Sequence, residues 1–303
     1  MNSSQCKYRL TFVPLLLLLA ANGQAATLLY EPFDYPAGTN LDGLAATGLN
    51  LFGNYATSTI QDLAISSPGL DYGSLQGNLP SVAGNRLGDV NGVGAGLTTI
   101  AVANDIAIEP GKEVFFSALM TFNDATGGNR FTRISFVDDT SGDEISFGEA
   151  SVGVRAIRVT ADTMATQGLI AEGADNSFTN GQTLLLVGHY LNSAAASSDA
   201  LELLGYDTAA THSLPLTFDL TDPNAQFAYS LSGVDIDFSQ ITSLRFEIRG
   251  DQNNFLDELR IGPTYESIAQ VPEPAGYALL ACFLVASVGT RSGRPERVER
   301  APA

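Results

Sequence analysis

Between residues 113 and 261, apolar and polar positions alternate in short runs interrupted by turn-forming residues. In Phe131-Thr-Arg-Ile-Ser-Phe-Val, residues 132, 134 and 136 oppose 131, 133 and 135. In Ser243-Leu-Arg-Phe-Glu-Ile-Arg, Leu244, Phe246 and Ile248 fall on one face, and Arg245, Glu247 and Arg249 on the other. A period of two belongs to a strand, because successive Cβ atoms leave it on opposite sides. The same reading predicts strands at Glu113–Phe122, Glu144–Phe147, Val152–Thr160 and Thr183–Leu191. It also predicts them at Leu201–Tyr206, Ala225–Leu231 and Phe255–Ile261. The gaps carry turn chemistry, as in Asp138-Asp-Thr-Ser-Gly-Asp, Asn180-Gly and Asp222-Pro-Asn. Between the two ends no segment sustains a helical period. Alternating strands without helices predict an all-β fold, a two-sheet antiparallel sandwich. Residues 36–100 read as long connections with short edge strands, since Gly84, Gly88, Gly92, Gly94 and Gly96 stud them and Pro68 and Pro80 interrupt them. No repeat or proline-rich linker divides the chain, so residues 26–270 are expected to form one domain.

Composition then removes whole classes of function. The 303 residues carry 15 Lys+Arg against 33 Asp+Glu, a net charge of −18, and Lys112 is the only lysine between residues 26 and 270. Such a body repels phosphate, which excludes nucleic acid and anionic lipid headgroups as its partners. Cys6 stands near the start and Cys282 in a C-terminal apolar run, with no cysteine between. A disulfide framework, a thiolate metal site and a cysteine nucleophile are therefore not expected. Two histidines, His189 and His212, are too few for an all-histidine zinc site.

Both ends read as address labels. Lys7 and Arg9 precede an apolar run, Leu10–Ala21, and small residues follow it. Cleavage after Ala25 places Gly23 at −3 and Ala25 at −1, so residues 1–25 are expected to be a signal peptide removed by signal peptidase. At the other end Val271-Pro272-Glu273-Pro274 opens an uncharged stretch over 274–290, and Arg291, Arg294, Arg297 and Arg300 follow in the tail 291–303. As a helix that stretch reaches ~25 Å, a marginal span of a ~30 Å hydrocarbon core. The arginines beyond it favour a cytoplasmic C-terminus. An ordinary single-pass anchor would share these parts, but the order of motif, membrane helix and basic tail closely resembles the PEP-CTERM sorting signal. Glu296 and Glu299 depart from the pattern by diluting the tail. The resemblance implies an exosortase as processing partner, an inner-membrane intermediate with its N-terminus outside, and delivery to the cell surface or an extracellular polysaccharide matrix such as a biofilm.

Shorter patches carry a second resemblance. Tyr30-Glu-Pro-Phe-Asp-Tyr-Pro-Ala-Gly-Thr-Asn-Leu looks like the opening, and Phe255-Leu-Asp-Glu-Leu-Arg-Ile-Gly-Pro-Thr-Tyr the closing strand, of secreted proteins with a concanavalin A-like lectin/glucanase fold. Thr183-Leu-Leu-Leu-Val-Gly-His-Tyr resembles a middle strand of that group. The resemblance implies a jelly roll with its first and last strands adjacent in one sheet. It does not imply catalysis, because lectins, adhesion modules and hydrolases share the fold. The glucan-cleaving branch uses Glu-x-Asp-x-Glu or Glu-x-Asp-x-x-Glu on one strand, and neither occurs. Asp143-Glu144-Ile-Ser-Phe-Gly-Glu149 has another spacing, and Asp235 and Asp237 lack a third carboxylate. There is no Gly-x-Ser-x-Gly, and His189, alternating with Val187 and Leu191, reads as a packed or rim residue. The chain is thus expected to be a non-catalytic structural or glycan-associating protein. The alternative is a polysaccharide-active hydrolase or lyase with an unrecognised carboxylate pair. Sugar rings stack on aromatic faces, and with Trp absent the platform would fall to tyrosines such as Tyr55, Tyr72, Tyr190, Tyr206 and Tyr229.

One cofactor suggests itself. Strict alternation puts Asp257 with Phe255, Leu259 and Ile261, and Glu31 with Leu29, Phe33 and Tyr35. If the first and last strands are neighbours, Glu31 and Asp257 would converge on a structural Ca²⁺, with Asp34 a third ligand. Alternatively Asp257 caps backbone amides or pairs with Arg86, while Glu31 faces water near a sheet edge.

Overall fold

The computed structural model describes residues 27–57, 63–76, 79, 82, 84–89, 95–122, 131–151, 154–160, 169–173, 181–195, 198–234, 236, 238–249 and 254–269. The strands in the first part are β1 (Leu29–Glu31), β2 (Leu51–Thr57), β3 (Leu63–Ser66), β4 (Arg86–Asp89) and β5 (Ala95–Ala107). There follow β6 (Lys112–Phe122), β7 (Phe131–Asp138), β8 (Asp143–Ser151), β9 (Val154–Thr160) and β10 (Leu169–Gly173). The last are β11 (Gln182–Asn192), β12 (Asp199–Asp207), β13 (Phe227–Val234), β14 (Gln240–Arg249) and β15 (Phe255–Gly262), before a short helix, α1 (Tyr265–Ala269).

They form two antiparallel sheets. One has eight strands in the order β13-β12-β11-β6-β15-β4-β3, with β1 also paired to β15; the other has seven, β10-β9-β8-β7-β14-β5-β2. The chain passes between sheets repeatedly, among other places from β5 to β6, from β6 to β7, from β10 to β11 and from β14 to β15, as in a jelly roll. The expected two-sheet sandwich is present, and the first strand does lie beside the last, Leu29 opposite Ile261 and Glu31 opposite Leu259. Residues 36–100 do supply short strands at the sheet edges, β2 at the end of one sheet and β3 at the end of the other, but the expectation of mostly long connections misses a long strand. That stretch supplies β2 to β4 and the thirteen-residue β5, whose Gly, Ala and Thr positions hide its period.

The core follows from alternation. Phe116, Met120, Leu184, Leu186, Phe136, Phe147, Leu244 and Phe246 meet between the sheets. A second apolar layer lies on the outer side of the eight-stranded sheet, where Leu119, Leu185, Val187 and Leu204 are covered by Leu70, Tyr72, Phe218 and Ile268. Two buried faces explain why β11 reads Leu-Leu-Leu-Val instead of alternating. Residues 38–46 close one side of the sandwich. Gly38 and Leu41 donate backbone N–H groups to Ile65 and Leu63 of β3, while Gly43 and Ala46 donate to Tyr55 and Gly53 of β2. One segment thus covers an edge of each sheet.

Among the described residues no helix is long and apolar enough to cross a membrane. Ala25, the motif Val271, Pro272, Glu273 and Pro274, and the 274–290 stretch lie outside the described residues.

Candidate functional site

Asp257 and Glu258 sit where β15 changes partner. Phe255 and Leu256 pair with β4, whereas Leu259 to Ile261 pair with β1. On the opposite side the register against β6 shifts between Asp257 and Arg260, and Glu258 takes a left-handed φ of 54°. This is a bulge, and an extra residue reverses the alternation beyond it. Leu256 and Leu259 both point between the sheets, while Phe255 belongs to the outer layer. Asp257, opposite Leu119 of that layer, is on the outer side. Glu31, between Leu29 and Phe33 and opposite Leu259, is on the inner side.

Glu31 and Asp257 therefore do not converge as the expected calcium site would need, since the two carboxylates occupy opposite faces of one sheet. Glu31 is fully buried and accepts from Phe33 N–H (2.7 Å), Tyr55 O–H (2.6 Å) and Tyr35 O–H (3.3 Å). Burial raises its pKa against the lowering effect of those donors. Asp257 accepts from the backbone N–H of Leu70 (2.8 Å) and of Glu258 (2.9 Å). Burial pushes it up to about 8, although the Leu70 amide opposes the shift. Amide capping is thus what the bulge provides, and the Arg86 guanidinium lies 3.5 Å over the Phe255 ring beside it. Asp34 is exposed, packed against the backbone of Gly84. Among the described residues no group of three or more His, Cys, Asp or Glu side chains is placed to hold a metal ion. Glu258 completes the junction: it accepts from Tyr30 O–H (3.0 Å) and Arg260 (2.8 Å), whose guanidinium stacks 4.1 Å over the Tyr30 ring. These carboxylates fasten the first strand and the 67–72 segment to the last strand.

The outer side of the seven-stranded sheet has a different chemistry. Ser146 of β8, Ser135 of β7 and Arg245 of β14 stand in one cross-strand row, and Gly148, Arg133 and Glu247 in the next. Arg133 pairs with Glu247, and Arg245 with Glu144. Ser146 donates to Glu144 at 3.0 Å, and the Ser135 and Ser146 hydroxyls are 3.0 Å apart. The Arg245 side chain keeps 34% of its surface exposed and Glu144 15%. An arginine fork beside a carboxylate presents fixed donors and acceptors, the geometry that engages neighbouring hydroxyls. Glycoside cleavage instead requires two carboxylates facing one bond, roughly 5–9.5 Å apart. Glu144 and Glu247 each face an arginine. The alternation of Arg245 and Glu247 is visible in the sequence; their partners two or more strands away are not, because register decides them.

The tyrosines expected as platforms are structural. Tyr55, Tyr190 and Tyr206 are fully buried, Tyr72 is nearly so, and Tyr229 packs against the core. His189 does stand on the rim, between Glu113 and Glu202.

No protein-family model matches the chain, and neither does any curated protein. Solved structures similar to it include the globular domain of T. cruzi calreticulin, at 8% identity and a TM-score of 0.46 over 80% of this chain and 89% of that one. The Emp46p carbohydrate recognition domain in its metal-free form matches at 8% identity and TM-score 0.37, over 60% and 83%. The VIP36 exoplasmic/lumenal domain in its Ca²⁺/Man3GlcNAc-bound form matches at 11% and 0.36, over 72% and 88%. All three TM-scores lie below 0.5, so the two-sheet architecture rests on the strand pairing of this chain itself.

Proposed function

We propose that this is an exported protein of the cell surface or extracellular polysaccharide matrix that associates with glycan and does not cleave it. The ion-paired ladder of Arg133, Glu247, Arg245 and Glu144 carries the glycan part of this reading. It offers hydrogen-bonding groups in fixed positions without an opposed carboxylate pair. The export part rests on residues 1–25 and 271–303, which would engage signal peptidase, the membrane and an exosortase in turn.

Two experiments test these parts separately. The secreted chain is screened against neutral and acidic polysaccharides, with release of reducing ends measured on each. Binding without release, weakened about ten-fold by Arg245→Ala at unchanged melting temperature, is the expected result. Release that a carboxylate substitution abolishes would make the protein a hydrolase. Fractionation of tagged protein with and without residues 271–303 tests sorting, and identical distributions of both forms would defeat it.

A further inference from the structure

His189 lies in β11 with Glu202 of β12 opposite it on one side and Phe115 of β6 on the other. Its Nδ1 is 2.9 Å from Glu202 Oε2, and its Nε2 is 3.1 Å from Glu113 Oε2. A carboxylate oxygen only accepts, so both contacts are hydrogen bonds only while both ring nitrogens carry protons. The ring is stacked on Phe115, centroids 4.5 Å apart and planes 17° off parallel.

Phe218 rests on this pair, 5.5 Å from the His189 ring and 5.9 Å from Phe115, and touches Tyr265 of α1 at 6.2 Å. It belongs to the segment 208–226, which crosses the outer layer of the eight-stranded sheet. Elsewhere that segment is tied by hydrogen bonds: Leu214 N–H to Gln76 O (3.1 Å), Tyr206 O–H to Asp222 (3.1 Å) and Gln226 N–H to Gly205 O (2.8 Å). At Phe218 it is seated by rings. The charged groups in contact with the imidazole are Glu113 of β6 and Glu202 of β12; in the chain Asp219 follows Phe218 and Glu266 follows Tyr265, and Lys112, next to Glu113, is aligned with Asn192. The Glu113 side chain is 49% exposed, Glu202 22% and His189 12%, so protons reach the site readily.

We propose that Glu113, His189 and Glu202 form a proton-operated latch: the doubly protonated ring ties β6 and β12 across β11 and seats Phe218, and loss of one ring proton loosens residues 215–221, between the Leu214 and Asp222 ties, from the sheet. A neutral ring turns a lone pair toward one of the two carboxylates. That contact becomes repulsive, and the two carboxylates lose their counter-charge. The change is local because the other ties of the segment do not involve the histidine.

Hydrogen exchange of the 215–221 amides in the full chain, corrected for intrinsic rates, tests the latch between pH 5 and pH 8. Protection is expected to fall roughly five-fold with rising pH in the wild type, the scale of a half-exposed ion pair. The same fall is expected in His212→Gln and none in His189→Gln. Glu113→Gln is the second variant, since its amide can donate to the neutral ring and hold protection at pH 8. A wild type whose protection ignores pH, or a His189→Gln protein showing the wild-type fall, overturns the proposal.

Discussion

Asp257 joins burial and charge at a single residue. Its folded pKa stands at about 8, above the ordinary aspartate range, so folding favours the protonated form. The stability this gives is complete below about pH 4 and is lost as pH rises through about 8. Asp257→Asn stays neutral throughout. The melting temperature of the wild type should therefore fall more steeply between pH 4 and pH 8 than that of the variant. At pH 4 the variant should be less stable by about 1 kcal/mol, because one amide oxygen cannot satisfy both backbone N–H groups. Parallel pH profiles would contradict this. Glu31 offers a companion test, since its three donors are all buried. Glu31→Gln keeps an acceptor and should cost about 1 kcal/mol by urea denaturation. Glu31→Leu strands the donors and should cost ~2–4 kcal/mol. The acidity and apolar neighbours of both residues are plain in the sequence. Their separation is not, because a one-residue bulge at Glu258 reverses the face of everything after it.

Strand elements were legible wherever one face is wet. β7 and β14 show a clean period of two, and the structure pairs them, with Phe246 opposite Ile134. β5 was not legible, because its Gly, Ala and Thr side chains contribute little apolar contrast. β11 shows how two elements fix each other. A Cβ at Gly188 would come within 1.7 Å of the Phe116 ring on β6, so the strand needs glycine for the ring to lie flat over it. Gly188→Ala should destabilise by about 3 kcal/mol, the upper range of overpacking, and adding Phe116→Leu should recover part of that loss. Equal costs for the single and double variants would show that the ring is not what excludes the methyl.

At the scale of the molecule, a net charge of −18 opposes compaction. Raising salt from 10 to 150 mM should lift the melting temperature by about 2–4 °C, the shift that ~1 kcal/mol produces in a domain of this size. The proposed glycan association through paired ions should vary little over the same range, unlike binding to a polyanion, and that comparison separates the two kinds of partner. The sequence by itself determined the all-β class and the acidic balance of the chain. These follow from composition and local periodicity, which need no knowledge of what lies opposite. Only the tertiary structure decided that Glu31 and Asp257 stand back to back, that Arg133 meets Glu247 and Arg245 meets Glu144, and that one histidine is held between two carboxylates. Each of those depends on register between strands distant in the chain, and a single inserted residue is enough to change it.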